Sequence, residues 1–225
     1  MKEPPHPANE AARLKALRDL LILDTRPERR FDLVTAYCRS RFRADIALIS
    51  LVDADRQWFK SACGIDARET PREISFCGHA ILRDEVMVVR DATQDERFHD
   101  NPLVTGPPFI RFYAAAPLKL SSGHAIGTLC LICSQPRRLD SEEQEHLQLL
   151  AHMLSMELEG LDPIENCKGH CLYGVLAIQC PYRSTGRELP GHRFDRALDR
   201  RQSNPAPKIQ TRETVKENRA RHPWT

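Results

Sequence analysis

The chain has 225 residues, 41% of them hydrophobic, which suffices for one full domain with an appendage but not comfortably for two. Its 33 Lys and Arg residues nearly balance its 31 Asp and Glu residues, and no apolar stretch approaches the roughly 18 residues of a membrane span. Residues 1–10 are polar and rich in proline, unlike a signal peptide, so we expect a cytoplasmic protein with eight reduced cysteines.

The charge is distributed unevenly along the chain. Residues 1–162 carry 21 Lys and Arg against 25 Asp and Glu, whereas residues 163–225 carry 12 against 6. The sequence therefore predicts a leader and helix at 1–26, a folded domain at 27–160 and a basic, largely disordered tail at 161–225. Alternatively, the tail is out-of-frame sequence or a truncated output region. Its cysteine spacing matches no common zinc module, and it lacks the interleaved aromatic residues of a single-strand nucleic acid binder.

Two helices are predicted before the first strand. Asn9 is a candidate N-cap for a helix with leucines at helical spacing. Thr25 and Glu28 have the spacing of a capping box, with Pro27 in the first turn of a second helix. The apolar face of that second helix consists of Phe31, Val34, Cys38 and Phe42.

Strands and one long helix are predicted after these. Apolar runs between turn residues favour strands at 46–52, 57–62, 86–89, 109–120 and 125–133. Ser141 and Gln144 indicate the start of a last helix, whose apolar stripe is Leu147, Leu150, Ala151, Leu154 and Leu158. This order predicts an α+β fold with an antiparallel sheet of five or six strands and helices on one face.

Residues 74–82 place a Cys and a His two positions apart in an apolar run. Cys77 and His79 suit a thiol sensor, metal or haem ligands, or simply a pocket wall or core. On a helix, positions two apart point about 200° apart, so only one of the pair would face a given cavity. A zinc site needs further ligands that the neighbouring sequence does not provide, so we predict no metal site.

Two other motifs have competing interpretations. Cys130 and Cys133 form a CxxC motif, but on a strand they point to opposite faces, so we expect a structural role. Arg111 lies beside Phe112 and Tyr113, where a guanidinium suits a phosphate or carboxylate and the rings suit a base. The alternative is a surface Arg paired with an Asp of the 91–100 loop.

Several strings in succession resemble a GAF domain, the type found as the input module of bacterial diguanylate cyclases and sensor histidine kinases. The resemblance covers roughly residues 8–160 and is carried by residues 9–25, 47–53, 56–61, 76–81, 101–106, 111–114 and 127–130. It implies a six-stranded antiparallel sheet in the order 2-1-5-4-3-6 or a close variant. It also implies terminal helices on one face, a ligand pocket on the other, and dimerisation through the first and last helices.

Proteins of this family bind cyclic nucleotides, tetrapyrroles, haem or small metabolites, so the resemblance leaves the cofactor unknown. Bilin-binding relatives attach the chromophore at a Cys followed directly by His, whereas Gly78 intervenes here. The candidate ligand-binding residues are Phe76, Cys77, His79, Asp91, Asn101, Arg111, Phe112 and Tyr113.

The sequence contains no hydrolase, nucleotide-binding, cyclase or kinase motif, so we predict that the chain is not an enzyme. The predicted function is a non-catalytic sensor that binds a small ligand or senses redox state and signals through its terminal helices. Its expected partners are a second copy of the chain and an output domain or signalling protein, without membrane or nucleic acid. The alternative is a GAF-type thiol enzyme resembling free methionine sulfoxide reductases, with Cys77 as nucleophile.

Overall fold

A computed structural model describes residues 1–161 of the chain. In this part of the chain no helix has the length and apolar character needed to cross a membrane. Its helices are α1 (Glu10–Asp19), α2 (Arg29–Arg41), α3 (Phe76–Ala80), α4 (Pro102–Thr105) and α5 (Ser141–Leu158). Its strands are β1 (Ile46–Val52), β2 (Arg56–Cys63), β3 (Glu69–Pro71), β4 (Met87–Val89), β5 (Phe112–Lys119) and β6 (Ala125–Cys133). The tail predicted at 161–225 lies outside the described residues apart from Leu161.

The six strands form one antiparallel sheet in the order β3-β2-β1-β6-β5-β4. The predicted α+β fold is therefore confirmed. One detail differs from the expected strand order: the three-residue β3 pairs with β2 at the edge opposite β4. It was not predicted because Glu69, Thr70 and Pro71 have no apolar alternation, and this short strand forms only by pairing with β2.

Both faces of the sheet are covered, so the central strands are buried throughout. All seven residues of β1 are buried, and they alternate between two apolar cores. The first core lies under α1, α2 and α5, and we call this side of the sheet the helix face. Its members include Leu17, Phe31, Phe112, Leu129 and Leu147. It contains the whole predicted stripe of α5.

The second core lies under α3, α4 and the irregular segments between β2 and β5, and we call this side the second face. Its largest side chains are Phe76, Phe98, Tyr113 and Met87. Helix α3 packs directly on β1, β5 and β6. A short helix and loops therefore close this face, where the other face has three long helices.

Two helices begin at residues other than those predicted from their capping motifs. Helix α2 begins at Arg29, because Thr25 instead donates its hydroxyl to the Ile22 carbonyl and accepts a hydrogen bond from Lys60 Nζ. Helix α5 has a complete capping box, but it is formed by Asp140 and Glu143, one residue before the predicted pair. Asn9 occupies the N-cap position of α1 without a side-chain hydrogen bond.

A buried charge network fixes α1 to the sheet. Glu10 Oε2 accepts from Arg13 Nε at 2.7 Å, and Glu10 Oε1 accepts from Arg72 Nη1 at 2.5 Å. Arg13 Nη1 also donates to the Val52 carbonyl at the end of β1, at 2.7 Å. Burial raises the pKa of Glu10, but the hydrogen bonds from Arg13 and Arg72 outweigh it and lower the pKa from 4.5 to about 2. The first helix is thus coupled electrostatically to the segment that precedes α3.

Candidate functional site

The site is centred on α3, which begins where Ser75 caps it. Ser75 Oγ accepts a hydrogen bond from the Gly78 amide at 2.9 Å, as a helix N-cap requires. All five residues of α3 are buried. Position 78 has no room for a side chain, because a Cβ there would lie 2.7 Å from Pro4 Cγ and 2.8 Å from Ser75 Oγ. Glycine therefore allows the N-terminal segment to cross directly over the helix.

Cys77 points from α3 into the sheet. The Tyr113 hydroxyl on β5 donates a hydrogen bond to Cys77 Sγ at 3.2 Å. Cys130 on β6 belongs to the same buried core as Cys77, and α3 packs on that strand. Tyr113 pairs with Ile132 across the two strands, and Ala115 pairs with Cys130. All four residues belong to the second core, so Tyr113 and Cys130 project from the same face of the sheet.

Two hydroxyl groups complete this polar cluster. Ser50 on β1 and Thr128 on β6 are direct register partners, and both residues are fully buried. Both lie on the second face by alternation with Leu48 and Cys130, and neither hydroxyl oxygen has a hydrogen-bond partner among residues 1–161. An unsatisfied buried hydroxyl costs on the order of 1–3 kcal/mol, so these two groups destabilise an otherwise apolar core. We define the thiol cluster as Ser50, Cys77, Tyr113, Thr128 and Cys130.

The thiol cluster makes its two cysteines unequal. Hydrogen bonding with Cys130 lowers the pKa of Cys77, and the hydroxyls of Thr128, Tyr113 and Ser50 add to this effect, while burial opposes it. The same interaction with Cys77, together with burial, raises the pKa of Cys130. Burial also raises the pKa of Tyr113, which keeps its hydroxyl protonated as a donor.

His79 points away from the thiol cluster. Its Nε2 donates to the Lys2 carbonyl at 2.9 Å, and its ring meets the edge of Phe98 at a centroid distance of 5.0 Å. Burial lowers the pKa of His79 below its ordinary value of 6.5. The Lys2 amide donates to the Arg97 carbonyl at 3.0 Å, and Pro4 is buried against Gly78. Residues 2–4 thus form a strap across the outer side of α3.

Aromatic packing joins the two ends of the site. The Phe76 ring stacks on Phe98 with centroids 3.8 Å apart and lies 5.0 Å from the Tyr113 ring. All three rings are almost completely buried. Phe76, Cys77, His79 and Tyr113 are therefore brought together by the structure, although Cys77 and His79 serve opposite sides of α3.

Three of the other predicted site residues are engaged elsewhere. The structure corrects the prediction that Phe112 lines the ligand site. Phe112 lies one residue from Tyr113 on β5 and therefore faces the helix-face core. Asp91 Oδ1 accepts from the Thr93 amide and hydroxyl, which shapes the turn before α4. Asn101 caps α4 by accepting from the Leu103 amide and donates to the Ile74 carbonyl at 3.0 Å.

Arg111 is also tied to the protein backbone. Its Nη1 donates to the carbonyls of Val104 and Ile110 at 2.9 and 3.1 Å. Among residues 1–161 Arg111 has no ion pair with an Asp of the 91–100 loop. The two contacts occupy Nη1 alone, so the predicted anion clamp stays a prediction. Arg111 therefore holds the α4 segment against the start of β5.

Sequence reasoning did not identify Ser50, Thr128 or Cys130 as site residues. The signal was present for Ser50, since it is the one hydroxyl residue in the apolar run of β1. Cys130 and Cys133 face opposite sides of the sheet, as predicted. The structural role expected for both did not anticipate that Cys130 lies in the same core as α3. Within residues 1–161, no group of three or more His, Cys, Asp and Glu side chains is arranged to hold a metal ion.

Solved structures share this architecture. The GAF domain of an Acinetobacter phosphoenolpyruvate-protein phosphotransferase superposes with a TM-score of 0.51 at 17% identity, over 69% of this chain and 98% of that one. The GAF domain of a phosphoenolpyruvate-protein phosphotransferase from Coxiella burnetii gives the same TM-score and identity, over 68% of this chain and 96% of that one. At these identities the similarity establishes the fold.

A cyclic di-GMP phosphodiesterase of Pseudomonas aeruginosa is 46% identical over 183 residues, which are 80% of this chain and 31% of the relative. The chain thus spans about a third of that relative. The prediction that the chain is not an enzyme is contradicted by this similarity, because the relative is named as an enzyme. The sequence profile of the GAF domain family matches residues 26–158, more than half of the chain. This protein therefore contains a sensory-type GAF domain and belongs to the GAF domain family.

Proposed function

We propose that this chain is the sensory part of a cyclic di-GMP phosphodiesterase. A small ligand or a redox change acts at the second face, and the effect passes through the sheet to α1 and α5. The observation that carries the proposal is the position of the thiol cluster on strands that also form the helix-face core. The 46% identity to a protein named as a cyclic di-GMP phosphodiesterase supports the choice of reaction.

Strands β5 and β6 provide the connection between the two faces. Tyr113 faces the thiol cluster, while its neighbours Phe112 and Ala114 face the terminal helices. Helix α5 packs on β5, and α1 packs on β6. Since a packed core transmits small displacements instead of absorbing them, a shift of Tyr113 or Cys130 moves the surface on which α1 and α5 rest.

The same proposal includes a homodimer formed through the terminal helices. Leu149 on α5 is 46% exposed and Leu21 after α1 is 83% exposed, so both present apolar surface outside the core. Burying such side chains against a second copy is favourable by about 1.5–3 kcal/mol for each one fully buried. Light scattering of the chain, with Leu149→Glu as the disrupting variant, tests this state.

The alternative reductase function is less well supported by the geometry. Cys77 is only 2% exposed and lies between α3 and the sheet, with the strap on the outer side of α3. A nucleophile for an amino acid substrate needs a path to its sulfur that admits the whole substrate, which is much larger than a hydrogen peroxide molecule. The burial of Cys77 therefore favours a sensory role.

The proposal is tested in the Pseudomonas aeruginosa relative, with its matching region replaced by this chain. Cyclic di-GMP hydrolysis is measured for the wild-type fusion and for Cys130→Ala and Cys133→Ala. These two substitutions remove the same atom from the same strand but on opposite faces. We expect Cys130→Ala to change the hydrolysis rate at least several-fold and Cys133→Ala to leave it within about twofold, with circular dichroism confirming that both variants are folded.

Two results would contradict the proposal. The first is a fusion that hydrolyses cyclic di-GMP at the same rate with either substitution. The second is an equal change in both variants, which would mean that the sheet is sensitive to any loss of packing and that the second face has no special role.

A further inference from the structure

We propose that Cys77 and Cys130 form a redox-active dithiol, which a hydroperoxide oxidises to an intramolecular disulfide. This inference rests on the redox form of the proposed function and names the group that would be modified. The thiol cluster is the feature that carries it. Two thiols, three hydroxyl groups and no charged side chain meet there in a buried core.

The geometry brings the two thiols to the same buried face of the sheet. Cys77 lies in the first turn of α3 and is directed at the sheet, as its 3.2 Å contact with the Tyr113 hydroxyl shows. Cys130 lies on β6 and points to the same face, with the small Ala115 as its cross-strand partner. Because α3 packs directly on β6, the disulfide requires a local approach of this short helix to the strand and no rearrangement of the sheet.

The proposed reaction balances as two thiols and one hydroperoxide. The Cys77 thiolate attacks the terminal peroxide oxygen, the O–O bond breaks, and the alkoxide or hydroxide that leaves takes up a proton. Cys77 is then a sulfenic acid. The Cys130 sulfur attacks Cys77 Sγ, the S–O bond breaks, and water leaves with the Cys130 proton. Each dithiol gives up two electrons, which reduce the peroxide to one alcohol or water molecule and one further water.

The other residues of the thiol cluster have defined parts in these steps. The Tyr113 hydroxyl donates to Cys77 Sγ, and this bond favours the anionic form of the thiol. Tyr113 therefore acts as a positioning residue for the sulfur that attacks first, while Ser50 and Thr128 supply polar groups on the same face that have no hydrogen-bond partner among residues 1–161. Closing the bond draws α3 towards β6, and β6 carries Leu129 and Leu131 into the helix-face core. The disulfide thereby provides the displacement that the proposed sensor needs.

The experiment uses the reduced, full-length chain. Hydrogen peroxide is added, free thiols are blocked with a maleimide at timed intervals, and peptides are mapped by mass spectrometry without reduction. We expect a peptide pair linked through Cys77 and Cys130, with the mass loss of two hydrogens, while Cys38 and Cys133 stay free. In Cys130→Ala, the linked pair is absent and Cys77 is trapped as the sulfenic acid by dimedone.

Cys133→Ala is the matched control, and the link should form in it at the wild-type rate. Three outcomes would overturn the proposal: Cys77 and Cys130 both remain free while peroxide oxidises other thiols, Cys77 is oxidised but never linked to Cys130, or linkage appears only when circular dichroism shows loss of the fold. None of these measurements depends on cyclic di-GMP hydrolysis. If the disulfide forms without changing the rate of hydrolysis, the dithiol proposal stands and the proposed function is rejected.

Discussion

Cysteine thiols lie on both faces of the sheet, in different surroundings. Cys38 and Cys133 lie in the helix-face core, where burial raises the pKa of both thiols, that of Cys38 to about 12. Cys77 and Cys130 lie on the second face among hydroxyl groups, where the pKa of Cys77 is lowered instead. Cys130 and Cys133 are only three residues apart on β6. Environment, and not sequence distance, therefore gives Cys77 a lower thiol pKa than Cys38, Cys130 or Cys133.

The contrast extends to how the faces are built. Three long helices cover one face with apolar side chains, which gives a core that resists change. A five-residue helix, irregular segments and the strap of residues 2–4 cover the other, whose centre contains hydroxyls without regular partners. The proposed function thus places a scaffold and a responsive site back to back on one set of strands, which would allow one to be altered without unfolding the other.

The largest effect should come from the scaffold. Phe31 is fully buried in the helix-face core, so Phe31→Ala should lower the free energy of unfolding by about 3–5 kcal/mol. Cys130→Ala on the second face removes one sulfur from a cluster that contains unpaired hydroxyl groups and should cost no more than about 1 kcal/mol. Urea unfolding followed by circular dichroism measures both. Equal costs would show that the two faces do not differ in the way described.

The second prediction concerns the charge network between α1 and Arg72. The pKa of Glu10 is about 2 in the folded protein and 4.5 in its ordinary state, so its stabilising effect is fully present above pH 4.5. It is lost as the pH falls from 4.5 through 2. Thermal melts should therefore show a decline in stability over this range that is weaker in Glu10→Gln, and an unchanged decline in the variant would exclude Glu10 as its source. Asp19→Asn, at an exposed ion pair with Lys15, is the control.

The third prediction separates the hydroxyl that contacts Cys77 from an equivalent one on the other side. Tyr113→Phe removes the donor at 3.2 Å and should slow formation of the Cys77–Cys130 link several-fold while costing roughly 1 kcal/mol of stability. Tyr37→Phe, which removes the 3.3 Å contact with His146 Nε2, should leave the rate unchanged. Peptide mapping after timed peroxide treatment measures the rates. A rate unaffected by Tyr113→Phe would mean that this hydroxyl does not assist Cys77.

The smallest effect on stability should come from the strap. Pro4→Ala removes the ring that packs on Gly78, so residues 2–4 are held less firmly over α3. Peroxide should then reach Cys77 faster, by a factor of a few, with little change in the melting temperature. Gly78→Ala should act in the same direction, but its methyl group also meets Ser75 Oγ at 2.8 Å and should therefore lower the melting temperature by disturbing the cap of α3. If both variants react at the wild-type rate, the strap does not limit access.

Much of the fold could be predicted from the sequence because its signals are local. The apolar runs of β1 and β6 and the stripe of α5 each depend on residues close together in the chain. The caps of α2 and α5 were less predictable, since Thr25 is taken up by Lys60 and Asp140 competes with Ser141. The thiol cluster combines residues from β1, α3, β5 and β6, so no spacing in the sequence reveals it.

Hydrogen exchange of the intact chain, reduced and after peroxide treatment, tests the central claim most directly. If the second face signals through the sheet, oxidation should change amide exchange in α1 and α5 as well as in α3, and Cys130→Ala should abolish the distant changes. Changes confined to residues 74–82 would contradict the account, because the thiol cluster would then be chemically responsive without affecting the terminal helices.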